Sequence, residues 1–458
     1  MISKALRGYI KDPGGDVFYA AVSFSNRNDY TDYSLSDDSE SEGFGGSDSE
    51  IGSDDELKYS QQTVTLHKLY SGGVSRVAKR SNWTYGNVYK AWPNEGCHVV
   101  ARSFTGGAAR LNVYRCMFSP LTPSTVAPTD NQISEFYSAD GYVWKYLYTI
   151  SDAESLLFMD EDWIPVPEVV SEQTALTSAV GSLKYIQYLI QKNAVYGVIY
   201  NAVLDSDAEL TDSDFVNITT SSPLTVQVED LSGTTPTQTA EFEFYRTSAT
   251  SRVLIRLNAI GKGYVGPFRC IKKGTTSTVS GVSCYLPPGV GHGSNLPEEM
   301  NATRTKIVVK NVPDGNILNV MDNTKFNVVS LVRNPVDLST KQIAQKSNYI
   351  ACRSFEATGV VFDVNDIASL KVLNDNSLRV VAVNGSRIYY TNLKDESNTV
   401  AVGDLVFNST SVIGGTVTAV YDREIVFNSF DHIVVDVKDK QIQRAKDQIE
   451  SFSFVLGF

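Results

Sequence analysis

The residues that could carry chemistry are four histidines, five cysteines and a few carboxylate clusters. The histidines are His67, His98, His292 and His432. None belongs to an HExxH motif, and no two stand four positions apart, the spacing that puts two imidazoles on one helix face for a metal. Cys97 and His98 are neighbours, so on a strand they point to opposite faces and make a poor thiol–imidazole pair. His292 sits between Gly291 and Gly293 in LPPGVGHGSNLPEE. Two readings stand open for it: a ligand or base held in a tight loop, or a turn residue hydrogen-bonded to backbone.

Gly261, Gly263 and Gly266 satisfy GxGxxG after an apolar strand. A dinucleotide site needs a helix opening at the third glycine, so that its amides face the pyrophosphate. Pro267 and the strand-like FRCIKKG follow instead, which reads as a glycine-rich β-turn. Asp205, Asp207, Glu209, Asp212 and Asp214 form an acidic cluster, but Leu210 stands where a calcium loop needs its turn glycine. There is no GxSxG, Walker lysine or kinase set. Glycosidase carboxylates lie far apart along a chain, and nothing singles out such a pair. The expectation is no catalytic residue, no metal ligand and no cofactor-binding residue.

The elements that must position these groups read mostly as strands. DVFYAAVSF (16–24) is a first buried strand, and HVVARSF and LNVYRCMF continue the pattern. DGYVWKYLYTI is an aromatic strand that ends before SDAESLLFM, where Ser151 or Asp152 would cap a short helix with Glu154 in its first turn. WIPVPE is held extended by its prolines. Residues 171–192 are the best helical stretch. Strands then return: AVYGVIYNAVL, SPLTVQVEDL, AEFEFYR, SRVLIRLNAI, IVVKNV, FNVVSLVRNP, GVVFDV, LRVVAVNGSRIYY and EIVFNSF. Asn384-Gly385 signals a hairpin. In SFSFVLGF, the residues Phe452, Phe454, Leu456 and Phe458 share one face at period two, as in a terminal strand tucked into a core.

A chain of 458 residues can bury a sizeable core without disulfides or metals. Its cysteines, Cys97, Cys116, Cys270, Cys284 and Cys352, are odd in number and form no CxxC, so they read as free buried thiols of a protein made in a reducing compartment. The net charge of −12 is concentrated in one place: eleven acids and no Lys or Arg lie between Asp29 and Glu56. That Ser- and Gly-rich stretch cannot bury enough apolar area to offset its ordering and reads as a mobile loop. The remaining body is close to neutral, which argues against a general nucleic-acid surface. No run approaches the roughly 18 apolar residues of a membrane span, and the N-terminus has no apolar core of a secretory signal.

Several segments together resemble the baseplate wedge subunit of T-even-type contractile-tailed phages, the gene-eight product family. Asp140-Gly141-Tyr142-Val143-Trp144-Lys145-Tyr146-Leu147-Tyr148 is similar to that family's DGYxWxYL signature. Tyr114-Arg115-Cys116 precedes it, and Trp163-Ile164-Pro165-Val166-Pro167 follows. FNVVSLVRNP, closing in Asn334-Pro335, resembles a family strand, and the 291–293 loop resembles one in longer members. The C-terminus is similar through Ile442, Arg444, Asp447, Gln448, Glu450, Phe452, Phe454, Leu456 and Phe458. The order is kept along nearly the whole chain, and the 140–148 and C-terminal segments are its most specific parts. The family's tryptophan after the first strand is replaced by tyrosines in SNRNDYTDYS, and residues 29–57 and much of 336–425 have no counterpart.

The resemblance implies a mainly β (α+β) fold, β-sandwich-based, with an inserted helical region and long loops. It divides the chain into an N-terminal strand segment (1–28), the acidic insert (29–57), a sandwich part carrying the signature (58–170), a helix followed by a β-rich region (171–335), a β-rich insertion (336–425) and a returning C-terminal strand (426–458). It also implies a homodimer in the virion tail baseplate, assembled in the host cytoplasm with other wedge subunits. It would have no nucleic-acid partner and no membrane insertion, and would rearrange on infection to permit sheath contraction. Two other readings come from the residues themselves: a tail-associated β module gripping host-surface carbohydrate through aromatic strands, or a depolymerase using its many carboxylates.

Overall fold

A computed structural model describes residues 16–23, 62–69, 71–94, 96–105, 108–205, 213–249, 251–287, 289–311, 325–373, 375–393, 399–443 and 450–457. The acidic insert at 29–57 lies outside the described residues, as do Asp207, Glu209, Asp212, Arg444, Asp447, Gln448 and Phe458. The fold is mainly β, with several antiparallel sheets, a small closed barrel and short helices. The chain divides into two compact units, Met1–Val74 with Lys306–Phe458, and Ser75–Thr305.

The first unit is built on a five-stranded sheet. Its strands run in the order Asn348–Ile350, Thr63–Lys68, Phe18–Ser23, Lys325–Arg333, Asp431–Gln443. All six residues of Phe18–Ser23 are buried, as a central strand covered on both faces requires. Its alternation sorts them: Tyr19 and Ala21 pack with Leu66, Val332 and Tyr349, while Phe18 and Ala20 pack with Ile307, Val309 and Leu331. Phe452, Phe454 and Leu456 of the strand Glu450–Gly457 cover this second cluster, and Phe452 meets Phe326 edge-on at 5.6 Å. The period-two face read in the sequence thus covers a core.

The same unit holds a six-stranded barrel spanning Arg353–Thr358 to Ile413–Tyr421. The hairpin at Asn384-Gly385 forms within it, Asn384 pairing with Arg387 across two loop residues. The apolar run GVVFDV is not a strand: Val360 and Phe362 leave the ladder and plug the barrel core beside Phe355 and Tyr390. EIVFNSF contributes only an isolated bridge at Ile425. In both, apolarity serves packing without strand geometry, which a short apolar run does not distinguish.

The second unit contains two four-stranded sheets. In one, the order is His98–Thr105, Ala108–Phe118, Val143–Ile150, Phe136–Tyr137. Both faces are covered. Val113 and Leu147 face a core with Ile164, Leu296 and Met300, while Tyr114, Cys116, Trp144 and Tyr146 face one with Tyr89, Val99 and Ile190. The other sheet runs Leu254–Ala259, Glu241–Tyr245, Leu224–Asp230, Phe268–Lys272 and buries Phe242, Phe244, Val226 and Val228 on one face.

Ser151 caps the helix Asp152–Phe158 with Glu154 in a reciprocal capping box. The stretch expected as one helix over 171–192 is two, Glu172–Thr177 and Leu183–Lys192, each opened by its own serine cap, Ser171 and Ser182. Gly181 between them has φ +82°, a left-handed conformation no helix accommodates. AVYGVIYNAVL is strand only at Ala202–Leu204, because Gly197 turns the chain where it crosses the backbone of Tyr264.

Candidate functional site

The residues with chemical potential converge in the second unit, around Arg115. Its strand partner across the sheet is Lys145, so two cations stand opposite each other. Arg115 Nε donates to Glu299 Oε1 at 3.0 Å, with side chains 2% and 1% exposed. The other guanidinium nitrogens donate to the Glu299 carbonyl oxygen and to Cys97 Sγ. The guanidinium carbon lies over the Trp92 ring, 5.2 Å from its centroid.

His292 completes the cluster. Its Nδ1 lies 2.7 Å from Glu299 Oε1, and its ring meets Trp92 edge-on at 5.3 Å. The neighbouring Gly293 amide donates to the second carboxylate oxygen. Burial lowers the His292 pKa more than the carboxylate raises it. The imidazole is therefore neutral, and since an ionised carboxylate only accepts, Nδ1 carries the proton. Glu299 is held down to about 2: burial opposes its charge, but His292, Arg115 and the Gly293 amide outweigh that. His292 therefore bonds a carboxylate, not the backbone that a simple turn residue would use. Its flanking glycines are needed: Gly291 has φ +127°, and a Cβ there would stand 2.5 Å from the Val195 backbone.

The residues of the DGYVWKYLY segment near this cluster are mostly buried or hydrogen-bonded. Trp144 is 0% exposed and stacks on Tyr142 at 5.5 Å. The Tyr142 hydroxyl donates to the Thr122 carbonyl and accepts from the Tyr89 amide. Asp140 Oδ2 accepts from Ser124 Oγ, Thr125 N and Val126 N at 2.9, 2.8 and 3.0 Å, pinning the loop that follows Phe118. Ser138 donates to the other oxygen. These bonds lower the Asp140 pKa although burial raises it. Gly141 makes the turn at φ +90°. Tyr114, Arg115, Cys116, Tyr146 and Leu147 are all buried. In the first unit, Asn334 Oδ1 accepts from the Val17 amide, and the Pro335 carbonyl accepts from Ala344.

Beside the cluster opens a cleft of about 770 Å³. Lys145 and His292 lie at its buried side; Ile133, Ile186, Leu189, Val195 and Val198 supply apolar wall, with Glu135, Tyr200 and Lys262 among the polar groups. Lys145 is 5% exposed, and burial lowers its pKa. The Tyr200 pKa is raised, chiefly by burial and further by the nearby Glu135 carboxylate.

Other candidate groups disperse. His98 Nε2 donates to the Lys79 carbonyl at 2.8 Å, apart from the Cys97 thiol's contact with Arg115. His67 Nδ1 lies 2.8 Å from Asn348 Oδ1 in the first unit. Gly261 exchanges backbone bonds with Ile199, and no helix follows Gly266; the strand Phe268–Lys272 does. Asp214 pairs with Lys272 at 2.5 Å. All five cysteines are free and buried. Among the described residues no group of three His, Cys, Asp or Glu could hold a metal, and no described helix is long and apolar enough to cross a membrane.

Sequence reasoning picked out His292 and Arg115 separately but missed Glu299, Lys145 and Tyr200. Glu299 was within reach, seven residues after His292 in the same quoted segment. Compared with known proteins, the chain matches no family model and no curated sequence.

Proposed function

We propose that this chain is a structural subunit of a contractile phage tail baseplate wedge. In this reading it is a homodimer that binds neighbouring wedge subunits in the virion and repacks those interfaces when the tail contracts. Its work is then a set of partner affinities and not a reaction. The observation that carries the reading is the ordered resemblance, above all Asp140 to Tyr148. The packing supports it: Tyr142, Trp144 and Leu147 are core residues, and Asp140 fixes a loop, as expected of a motif kept for architecture.

The test is assembly. The purified protein should have the mass of a dimer by light scattering, and should form a stable complex with wedge proteins encoded by the same genome. A monomer that binds none of them, yet binds host glycans on an array, would replace this reading with the carbohydrate-binding one.

A further inference from the structure

We propose that the cleft beside Lys145 binds a small organic carboxylate with an apolar body, its charge countered by the Lys145 ammonium. Arg115 and Lys145 are cross-strand neighbours, both at least nine-tenths buried, and like charges placed opposite each other destabilise a sheet. One carboxylate, Glu299, lies buried with them, and its oxygens are taken by Arg115, His292 and Gly293. Lys145 is reached by the charges of Glu135 and Glu299 only through space.

An ammonium has three donors, and the one hydrogen bond Lys145 makes among the described residues is a long one, 3.4 Å to the Ile133 carbonyl. No described carboxylate stands at ion-pair distance from it. A buried charge left this way is costly, unless something that enters the cleft completes its shell. Glu135, in the same cleft, acts through space on both Lys145 and Tyr200 without closing an ion pair to the lysine.

The remaining wall defines the rest of the ligand. Ile186 and Leu189 from the helix Leu183–Lys192, with Val195 and Val198 after it, offer an apolar surface leading to the lysine. A cavity of about 770 Å³ is in the range of small-molecule sites. An anion with a hydrocarbon body satisfies both parts; inorganic phosphate would leave the wall unused.

The experiment is calorimetric titration of the full chain with sodium hexanoate and, separately, with 1-hexanol. Hexanoate should bind one per chain, at least about tenfold tighter than hexanol. Lys145→Met should erase that preference while leaving hexanol binding in place, and Ile186→Trp, which fills the cleft, should weaken both. Lys262→Ala should have the smaller effect, since Lys262 is exposed. Equal affinity for the two probes in the wild type, absence of hexanoate binding up to roughly 10 mM, or a preference that survives Lys145→Met would each overturn the proposal. Should Lys145→Met fail to fold, the wild-type comparison and Ile186→Trp decide it.

Discussion

Arg115 and Glu299 stand 184 positions apart in sequence and form an ion pair that water barely reaches. The strand Ala108–Phe118 presents the arginine, and the short helix Leu296–Glu299 presents the carboxylate. The pair ties the loop carrying His292 to the sheet that carries the aromatic signature. Breaking it from one side strands the other charge. Arg115→Met is expected to destabilise the protein by about 3–5 kcal/mol, read by urea unfolding. Because the two side chains interact directly, Arg115→Met with Glu299→Leu should cost less than the sum of the single changes. Strict additivity would mean the pair is not coupled.

Acid should weaken the fold in two stages. His292 has an ordinary pKa of 6.5 when unfolded and a lower one when folded. Below 6.5 the unfolded chain takes up a proton that the native imidazole does not, so this contribution is full above 6.5 and lost as pH falls. His98, also buried with a lowered pKa, acts in the same sense. Glu299 adds a second stage, complete above its unfolded value of 4.5 and lost as pH falls toward about 2. Unfolding midpoints should therefore fall between pH 7.5 and 5.5, and His292→Gln should reduce that slope. A midpoint flat over this range would contradict the buried neutral imidazole.

Asp140→Ala removes the acceptor shared by Ser124, Thr125 and Val126. Hydrogen exchange at the Thr125 and Val126 amides should accelerate, with a stability loss of about 1–3 kcal/mol. Exchange in the barrel, which belongs to the other unit, should be unchanged. Unaltered exchange at the two amides would show that Asp140 does not hold the loop.

Gly291→Ala places a methyl group 2.5 Å from backbone atoms of Val195, at a φ that L-residues avoid. Backbone cannot rotate aside as a side chain does, so the variant should lose more than about 3 kcal/mol or fail to fold. Gly233→Ala is the comparison: its φ is also positive, but nothing lies within 4 Å, and the cost should be nearer 1 kcal/mol. Equal melting temperatures for the two variants would count against the close crossing.

The thiols should be silent in the native protein. All five are buried, and burial pushes Cys352 up to about 12 and Cys116 well above the usual thiol range. Ellman's reagent should react slowly with the folded chain and then count five thiols after denaturation. The Cys270 and Cys284 sulfurs lie 3.7 Å apart, so these two buried thiols should titrate as a pair. Rapid labelling of Cys352 in the native state would contradict its burial.

What the sequence determined by itself is local. Alternating apolar residues in AEFEFYR and SFSFVLGF, a helix cap at Ser151 or Asp152 and the hairpin at Asn384-Gly385 each state their conformation within a few residues, because side-chain period and turn chemistry act over that range. The same locality explains the misreadings. GVVFDV and EIVFNSF are apolar because a core receives them, and an apolar run carries no mark saying whether it arrives as a strand or as a plug. The helix over 171–192 broke where Gly181 takes a left-handed turn, a choice a permissive residue leaves to its surroundings.

Only the tertiary structure decided the cluster and the cleft. Nothing near Arg115 in sequence names Glu299 as its partner, and nothing in DGYVWKYLY marks Lys145 as a buried cation. Charge compensation in a buried site is a property of what surrounds a group in space, and here the groups come from a strand, a glycine-framed loop and a helix that only folding brings together.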